Sequence, residues 1–529
     1  MFRILLILIS CILANVPSEG NVSSRKNYNV DICIYGGTSG GVIAAYTARK
    51  EGKTVLLIEP GKRIGGMTTG GIGKTDIGNK QAITGLARDF YRRIGKEYGV
   101  PEQWLFEPSV ALKVMQGYLD RGNVDVIYQS RLQKVRKKGH RIQSIILKDS
   151  NSSGFTVQAK QFIDCSYEGD LMAMSGVSYT FGREDNNRYN EKLNGVQSSE
   201  YLKQSGFHQF PDGVSPYRIS GNPSSGLIWG ISKDDLQATG SGDKKIQAYN
   251  FRICLTDSAE NRIPITRPAD YDSLKYELMA RLFEAQPAMR NINDYFIWSL
   301  MPHRKTDINN RGGFSTDMIG MNHDYPEAGY KKREKIFNEH LSYTKGLLYF
   351  MKTDQRVPEN LRQFVANWGY CKDEFEDFGY FTPQLYIREA RRMIGEYVMT
   401  EHNCKGVEKV TDGIGMAAYQ MDSHNCQRII VNGMVKNEGN VEVGRLSPYP
   451  ISYRSITPRR NECENLLVPV CLSSSHIAYG SIRMEPVFMV LGESAGIASS
   501  MSIDDKVPVQ KVDVKKIQEI LKNDPFIEK

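Results

Sequence analysis

The run Gly36-Gly37-Thr38-Ser39-Gly40-Gly41 lies between a short apolar strand pattern, Asp31-Ile32-Cys33-Ile34-Tyr35, and a helical pattern over 42–50. Strand, glycine turn and helix in that order make a phosphate cradle. Gly36 makes the tight turn, Gly41 lets helix and strand approach, and the helix N-terminus offers free N–H groups and a positive dipole end to a pyrophosphate. A second strand, Val55-Leu56-Leu57-Ile58, ends in Glu59, where a carboxylate accepts from a ribose hydroxyl pair. Ala45 on the sheet side of the helix and Gly52 at its end complete the spacing of a dinucleotide site. Thr38 replaces the middle glycine of the usual fingerprint. Either the turn shifts slightly or the hydroxyl serves as a donor, so Thr38 counts among the binding residues.

Past Glu59, Lys62-Arg63-Ile64-Gly65-Gly66-Met67 sets a basic residue and a glycine pair just beyond the ribose acid. Glutathione-reductase-like flavoproteins run an Arg-x-Gly-Gly segment there. Asp164-Cys165-Ser166-Tyr167-Glu168-Gly169-Asp170, a strand running into a loop, resembles that group's second FAD-contacting segment through Asp164 and Gly169. Tyr35-Gly36-Gly37-Thr38, Gly65-Gly66-Met67-Thr68-Thr69-Gly70-Gly71, Arg304-Lys305-Thr306-Asp307, Pro383-Gln384-Leu385-Tyr386-Ile387-Arg388 and Asn465-Leu466-Leu467-Val468-Pro469-Val470 extend the likeness across most of the chain. Together they resemble the FAD-dependent oxidoreductase family related to fumarate reductase and hydroxybenzoate hydroxylase. The resemblance implies FAD as cofactor and no defined substrate. Some relatives carry polysaccharide-lyase labels that no residue here supports.

Near the C-terminus, Ser481, Arg483 and Pro486 precede or open a helical pattern over 487–501, with proline in the first turn. In flavoproteins of this class that helix N-terminus points at the flavin, so these three count as cofactor-binding residues. Dehydrogenation of a C–H bond needs a base for the proton and donors that anchor the substrate. His303 and Arg304 in the middle of the chain, Tyr386 and Arg388 on a predicted helix shared with Arg391 and Arg392, and His476 beside the flavin helix are the candidates.

The elements that must position these residues read as α/β. Helical patterns over 84–98 and 108–121 lead to a strand at 124–128, and short alternating stretches at 132–135, 142–147 and 155–157 read as a meander laid on the sheet. A further strand is expected over 466–470. The expected layout is a Rossmann-like FAD domain with a parallel sheet and β-meander, split over 28–185 and 445–515. An inserted α+β substrate domain occupies 186–444, a leader 1–20 and a tail 516–529.

With 529 residues, 40% apolar and 24% charged, the chain can bury a large core, and a formal charge of +8 is small for that length. The densest basic cluster, Lys134 to Arg141, straddles Gly139 and reads as a hairpin tip, which argues against nucleic-acid binding. Arg3, the apolar run after it and the small residues Ser18 and Gly20 make a cleavable export signal. Cys11 in Leu8-Ile9-Ser10-Cys11 offers the alternative of a lipid anchor. No later apolar run reaches the roughly eighteen residues of a membrane span. Without a Cys-x-x-Cys pair, zinc and dithiol chemistry lack support; Cys404 with Cys426 and Cys463 with Cys471 are conceivable disulfides, and Cys33 and Cys165 read as core residues. Asn21 and Asn151 open glycosylation sequons. The function expected is hydride transfer between a small organic molecule, a sugar or organic acid, and FAD, with an unidentified electron acceptor. A flavin-bearing accessory protein and a flavin-assisted lyase are the alternatives.

Overall fold

The computed structural model describes residues 27–151, 153–198, 202 and 208–522. The expected leader, Cys11, Asn21 and the last residues of the tail lie outside them. β1 (Asn27–Tyr35), α1 (Ser39–Lys50) and β2 (Val55–Ile58) form the anticipated strand, turn, helix and strand. Ile32, Cys33 and Ile34 are fully buried, as a strand covered on both faces requires. α2 (Gly85–Glu97) and α3 (Pro108–Gly122) follow, and then β3 (Asp125–Ile127), which pairs in parallel with β2.

β4 (Arg131–Lys138) and β5 (Arg141–Lys148) make the hairpin whose exposed tip carries the basic cluster, with Gly139 at a left-handed φ of 58°. β6 (Gly154–Asp164) corrects the reading of a meander laid on the sheet. It is one strand of eleven residues, antiparallel to β5 over Gly154 to Gln158 and parallel to β1 over Thr156 to Asp164. The meander is therefore an edge-joined continuation of the parallel sheet, in the order β3-β2-β1-β6-β5-β4. The polar run Gln158-Ala159-Lys160-Gln161 interrupts the apolar alternation without leaving the ladder, because Gln161 is buried and donates to Ser502 Oγ at 2.8 Å.

The middle of the chain holds a second sheet. Its strands are β7 (Leu255–Thr256), β8 (Arg262–Pro264), β9 (Phe296–Met301), β10 (Lys305–Asn310) and β11 (Gly369–Cys371), in the order β8-β11-β7-β10-β9. The long helix α4 (Tyr330–Thr353) precedes β11 in the chain. Far downstream, β12 (Leu466–Leu467) returns to the first sheet, parallel to Phe162 and Ile163 of β6. It is shorter than expected because the Val468 N–H turns to the Ile456 carbonyl at 2.9 Å. The polar stretch after it winds into α5 (His476–Ile482), capped by Ser475, whose side chain accepts from the Ala478 N–H.

Two expectations fail here. Tyr386, Arg388, Arg391 and Arg392 do not share a helix: the Tyr386 N–H bonds across to Asn250 O at 2.8 Å, and Arg392–Met393 is a short strand paired with Tyr179–Thr180. Nearly every side chain from Leu385 to Met393 is buried, so the segment has no solvent face and no amphipathic period. The expected disulfides are not formed: Cys404 is not bonded to Cys426, nor Cys463 to Cys471. Cys426 Sγ faces His424 O and Cys463 Sγ faces Asn465, while Cys471 Sγ meets the Ser166 and Tyr167 carbonyls. Cys33 and Cys165 are fully buried, as anticipated, and Asn151 is exposed.

α6 (Glu485–Asp504) begins two residues earlier than the expected pattern. It is long and apolar enough to cross a membrane, although no such run was expected after the leader, yet 89% of its most apolar window is buried inside the protein. It packs against α1, where small residues bring the two backbones together. A Cβ on Gly492 would lie 2.2 Å from Gly40 O, and one on Gly40 would lie 2.7 Å from Phe488 O. Gly492→Ala should therefore force the helices apart and cost about 1–3 kcal/mol of stability, read as a lower denaturant midpoint. An unchanged midpoint would show that the crossing is looser than this geometry requires.

Candidate active site

The glycine turn builds its pocket mainly from backbone. Gly36 sits at φ +99°, and a Cβ there would lie 2.5 Å from Ser166 N, so only glycine brings β1 this close to the end of β6. Thr38 donates from Oγ1 to Cys165 O at 2.8 Å and accepts the Gly41 N–H at 3.2 Å, which caps α1 and ties it to the same loop. Its hydroxyl is thus engaged within the protein. The Glu59 carboxylate accepts the Gly37 N–H at 2.7 Å and the Gly61 N–H at 2.5 Å. Burial pushes its carboxyl up to about 7, against the lowering by those two N–H groups.

These residues line a cavity of about 780 Å³, within the roughly 300–1,000 Å³ usual for ligand sites. Gly36, Thr38, Glu59, Arg63 and Gly66 form one wall, with Gln129 and Tyr167 nearby. Tyr325, Arg333, Pro383, Gln384, Leu385 and Ile387 close it from the middle of the chain. Arg63 donates to Thr69 O at 3.1 Å and stacks 5.2 Å from the Phe375 ring centre. Gly65 donates to Gly37 O at 2.6 Å, and Met67 N–H donates to Tyr167 Oη at 2.9 Å. Asp164 does not line the cavity; it accepts from Ser166 and Met172 and so fixes the turn through Gly169, which stands at φ +67°. A half-buried carboxylate held by backbone N–H groups, beside a cradle in which a Cβ would collide with backbone, fits a dinucleotide bound along the wall from Gly36 to Glu59.

The N-terminus of α6 meets this wall from the other side. Glu485, absent from the expected residues although it directly precedes Pro486, accepts from Ser39 Oγ at 2.6 Å, Thr68 Oγ1 at 2.7 Å and Tyr167 Oη at 2.6 Å. Burial raises its carboxyl above the ordinary glutamate value. One side chain thereby links the α1 cradle, the Gly66–Gly70 turn and the loop after β6. Met484 and Glu485 also border a small cavity of about 10 Å³ with Thr68, Asp76 and Tyr386.

The structure separates the catalytic candidates into two groups. Tyr386 accepts from Arg483 Nη1 at 2.8 Å, and the Arg388 guanidinium lies 4.8 Å from the same ring, with Arg483 at 5.6 Å. Burial raises the Tyr386 phenol despite the lowering by Arg483. Arg388 is paired with Asp317 at 2.9 Å and also donates to Ala248 O. His476 is buried near this group, but both ring nitrogens are occupied, Nδ1 by Glu389 at 2.8 Å and Nε2 by Ser423 Oγ at 2.9 Å. Ser481 is likewise held, donating to Tyr419 O at 2.5 Å and accepting from Tyr449 Oη at 2.7 Å. His303 and Arg304 stand apart on the surface, with side chains 70% and 67% exposed, and pair with Glu107 and Asp257.

His424 joins the first group although nothing in its sequence context marked it. Nδ1 lies 2.9 Å from Asp317 and Nε2 lies 3.5 Å from Asp422, which also pairs with Arg483 at 3.2 Å. Burial and Arg388 push the imidazole down, but Asp422 and Asp317 outweigh them and leave it above the ordinary value. An alternating chain of cation and carboxylate thus runs from Arg388 through Asp317, His424 and Asp422 to Arg483 and ends at the Tyr386 phenol. Among the described residues, no group of three or more His, Cys, Asp or Glu side chains is placed to hold a metal ion.

Comparison with known proteins gives this geometry a context. A family model described as FAD dependent oxidoreductase matches residues 31–521. No curated protein matches the chain. Among solved structures, THI4 of Thermovibrio ammonificans is 18% identical over 30% of this chain and 66% of its own, with a TM-score of 0.24. A flavoprotein/dehydrogenase from Cytophaga hutchinsonii is 16% identical over 30% and 47%, with a TM-score of 0.22. The 3-ketosteroid-delta4-(5alpha)-dehydrogenase of Rhodococcus jostii RHA1 is 12% identical over 30% and 50%, with a TM-score of 0.22. The chain thus spans less than two thirds of the length of each. The family match has no such limit, since it begins within β1 and ends with the helix Val514–Leu521, and so takes in both sheets and the whole cradle. The chain belongs to the FAD dependent oxidoreductase family, and FAD is its cofactor.

Proposed function

We propose that this oxidoreductase transfers hydride between FAD and an alcohol-type carbon of a small organic molecule, a sugar or an organic acid. The observation that carries the reading is the 2.8 Å hydrogen bond from Arg483 to Tyr386, whose side chain borders the small cavity where α6 begins. When bound, FAD supplies the hydride acceptor or donor. The protein must then hold the substrate oxygen and move its proton. Tyr386 Oη, already accepting from Arg483, retains one proton to give and one lone pair to receive with. Burial keeps Tyr386 protonated, so the phenol can give its proton to a carbonyl oxygen as hydride reaches the carbon, Arg483 favouring the phenolate that is left, and in the reverse direction that phenolate takes the proton of the alcohol as the C–H bond breaks. Arg388, 4.8 Å from the centre of the same ring, helps to confine it. His476, with both nitrogens bonded, holds Glu389 in place instead of exchanging protons.

FAD would lie with its adenosine end at Glu59 and its ring toward Thr68, Glu485 and Tyr386, where the α6 dipole favours negative charge. The bonded cradle leaves Glu59 as the carboxylate for the ribose hydroxyls. We further propose that the leader is removed and the chain exported, on the strength of the Arg3, apolar and Ser18-to-Gly20 pattern; a lipid on Cys11 is the less favoured form.

Glu59→Ala should weaken FAD binding by about 1–3 kcal/mol in a fluorescence titration, the cost of hydrogen bonds left unmade; wild-type affinity in the variant would remove Glu59 from the ribose contact. Tyr386→Phe should keep the yellow spectrum but slow flavin bleaching by roughly 10²-fold or more in stopped flow against a panel of sugars and hydroxy acids. Bleaching at the wild-type rate would rule out Tyr386 as the proton-handling group. A wild-type flavin that no donor bleaches would favour the accessory reading, and an unsaturated product formed without oxygen uptake would favour the lyase. Intact-mass measurement on the secreted protein should find its N-terminus at or near Asn21; an intact Met1 on protein recovered from the cytoplasm would refute export.

A further inference from the structure

One contact in the second sheet has no part in the chemistry above. The register that sets Leu255 opposite Tyr370 and Thr256 opposite Gly369 places Cys254 opposite Cys371 on adjacent antiparallel strands. Their Sγ atoms lie 3.7 Å apart, and the side chains are 3% and 0% exposed. Directly opposed residues on such strands have Cα atoms about 4.5–5.5 Å apart, inside the range a disulfide spans without backbone movement. The remaining six described cysteines are buried and face carbonyls, apolar side chains or hydroxyls, as the contacts of Cys426, Cys463 and Cys471 show.

We propose that Cys254 and Cys371 form a disulfide that clasps one wall of the FAD cavity. The bond would join residues 117 apart in the chain. Phe375 and Phe378, four and seven residues beyond Cys371, pack in the same apolar cluster as the two thiols. Phe375 carries the Arg63 guanidinium at 5.2 Å, and Phe378 itself lines the cavity. Fixing β11 to β7 therefore fixes the start of the loop that supports Arg63. Closure breaks two S–H bonds and forms one S–S bond. The two electrons and two protons pass to a disulfide oxidant, a small-molecule or protein disulfide, which leaves as two thiols. In the folded protein the Cys371 sulfur and burial both raise the Cys254 thiol, so the reactive thiolate is scarce there and the bond must form before the sheet closes over it.

The test is refolding of the full chain with FAD in a glutathione redox buffer or in excess dithiothreitol. Each product is then denatured in N-ethylmaleimide and digested without reduction. The redox-buffered sample should yield one cross-linked peptide pair containing Cys254 and Cys371, with Cys33, Cys165, Cys404, Cys426, Cys463 and Cys471 alkylated; alkylation of Cys254 and Cys371 as well would overturn the proposal. FAD should leave the oxidised protein several-fold more slowly than the reduced one, and the Cys254→Ala/Cys371→Ala double variant should show no difference between the two buffers. Equal release rates from oxidised and reduced wild type would overturn the clasp even if the bond is found. A cross-link between other cysteines would overturn the pairing itself.

Discussion

Where α1 crosses α6, a methyl group on Gly492 would come within 2.2 Å of the Gly40 carbonyl, and no side chain separates the two backbones. That approach aims the N-termini of both helices at one wall. Ser39, in the first turn of α1, can then reach Glu485, in the first turn of α6, across 446 residues of sequence. Once Glu485 is placed, Thr68 and Tyr167 have a common acceptor, and the Gly66–Gly70 turn and the loop after β6 settle against it. The cofactor wall is therefore an outcome of helix packing and not of a self-sufficient loop. A bulkier crossing would move each donor by a different amount, since the three come from different segments.

Behind this wall the protein buries charge on a scale that ordinary cores avoid. Arg392 is fully buried between Glu184 and Glu389, and Arg388 between Asp317 and the Tyr386 ring. Buried pairs of this kind add little net stability, because desolvation offsets most of the attraction, while removing one partner costs about 3–5 kcal/mol. Their value lies in orientation. Each guanidinium has several fixed donors, and the partners that those donors take leave Tyr386 and Glu389 few alternative positions. That also explains why His476 differs from a free base: it belongs to the Glu389 scaffold.

The parts of this arrangement that depend on near neighbours were readable in the residues alone. Gly36 to Glu59 forms a unit whose strand, turn and helix are all local, and the glycine spacing states which backbones must touch. Arg63 and the Gly65-Gly66 pair were legible through their resemblance to the Arg-x-Gly-Gly segment of glutathione-reductase-like flavoproteins. What failed depended on distant partners. Arg388 and Arg392 stand four apart, as on a helix face, but the Tyr386 N–H finds Asn250 instead of a helical carbonyl. β6 looked like two pieces because Gln161 is polar, and only the remote Ser502 makes its burial tolerable. His424 had no local signal, since Asp317 and Arg388 reach it from elsewhere in the chain. Glu485 was visible as the residue before Pro486, but its role appears only when Ser39, Thr68 and Tyr167 converge on it.

The return of β12 to the first sheet bears on how the molecule is made. Asn465, at the start of that strand, accepts the Ile142 N–H and so bridges 323 residues of chain. Contacts of such long range form late, because loop closure must precede any gain from pairing. A nascent chain that has emerged only as far as the second sheet would carry a glycine cradle with an open flank and no α6 beneath it. The ribosome must finish nearly the whole polypeptide before there is a site for flavin to enter. Cofactor capture is then a step of maturation, and a compartment that receives this chain unfolded would also have to provide the free nucleotide.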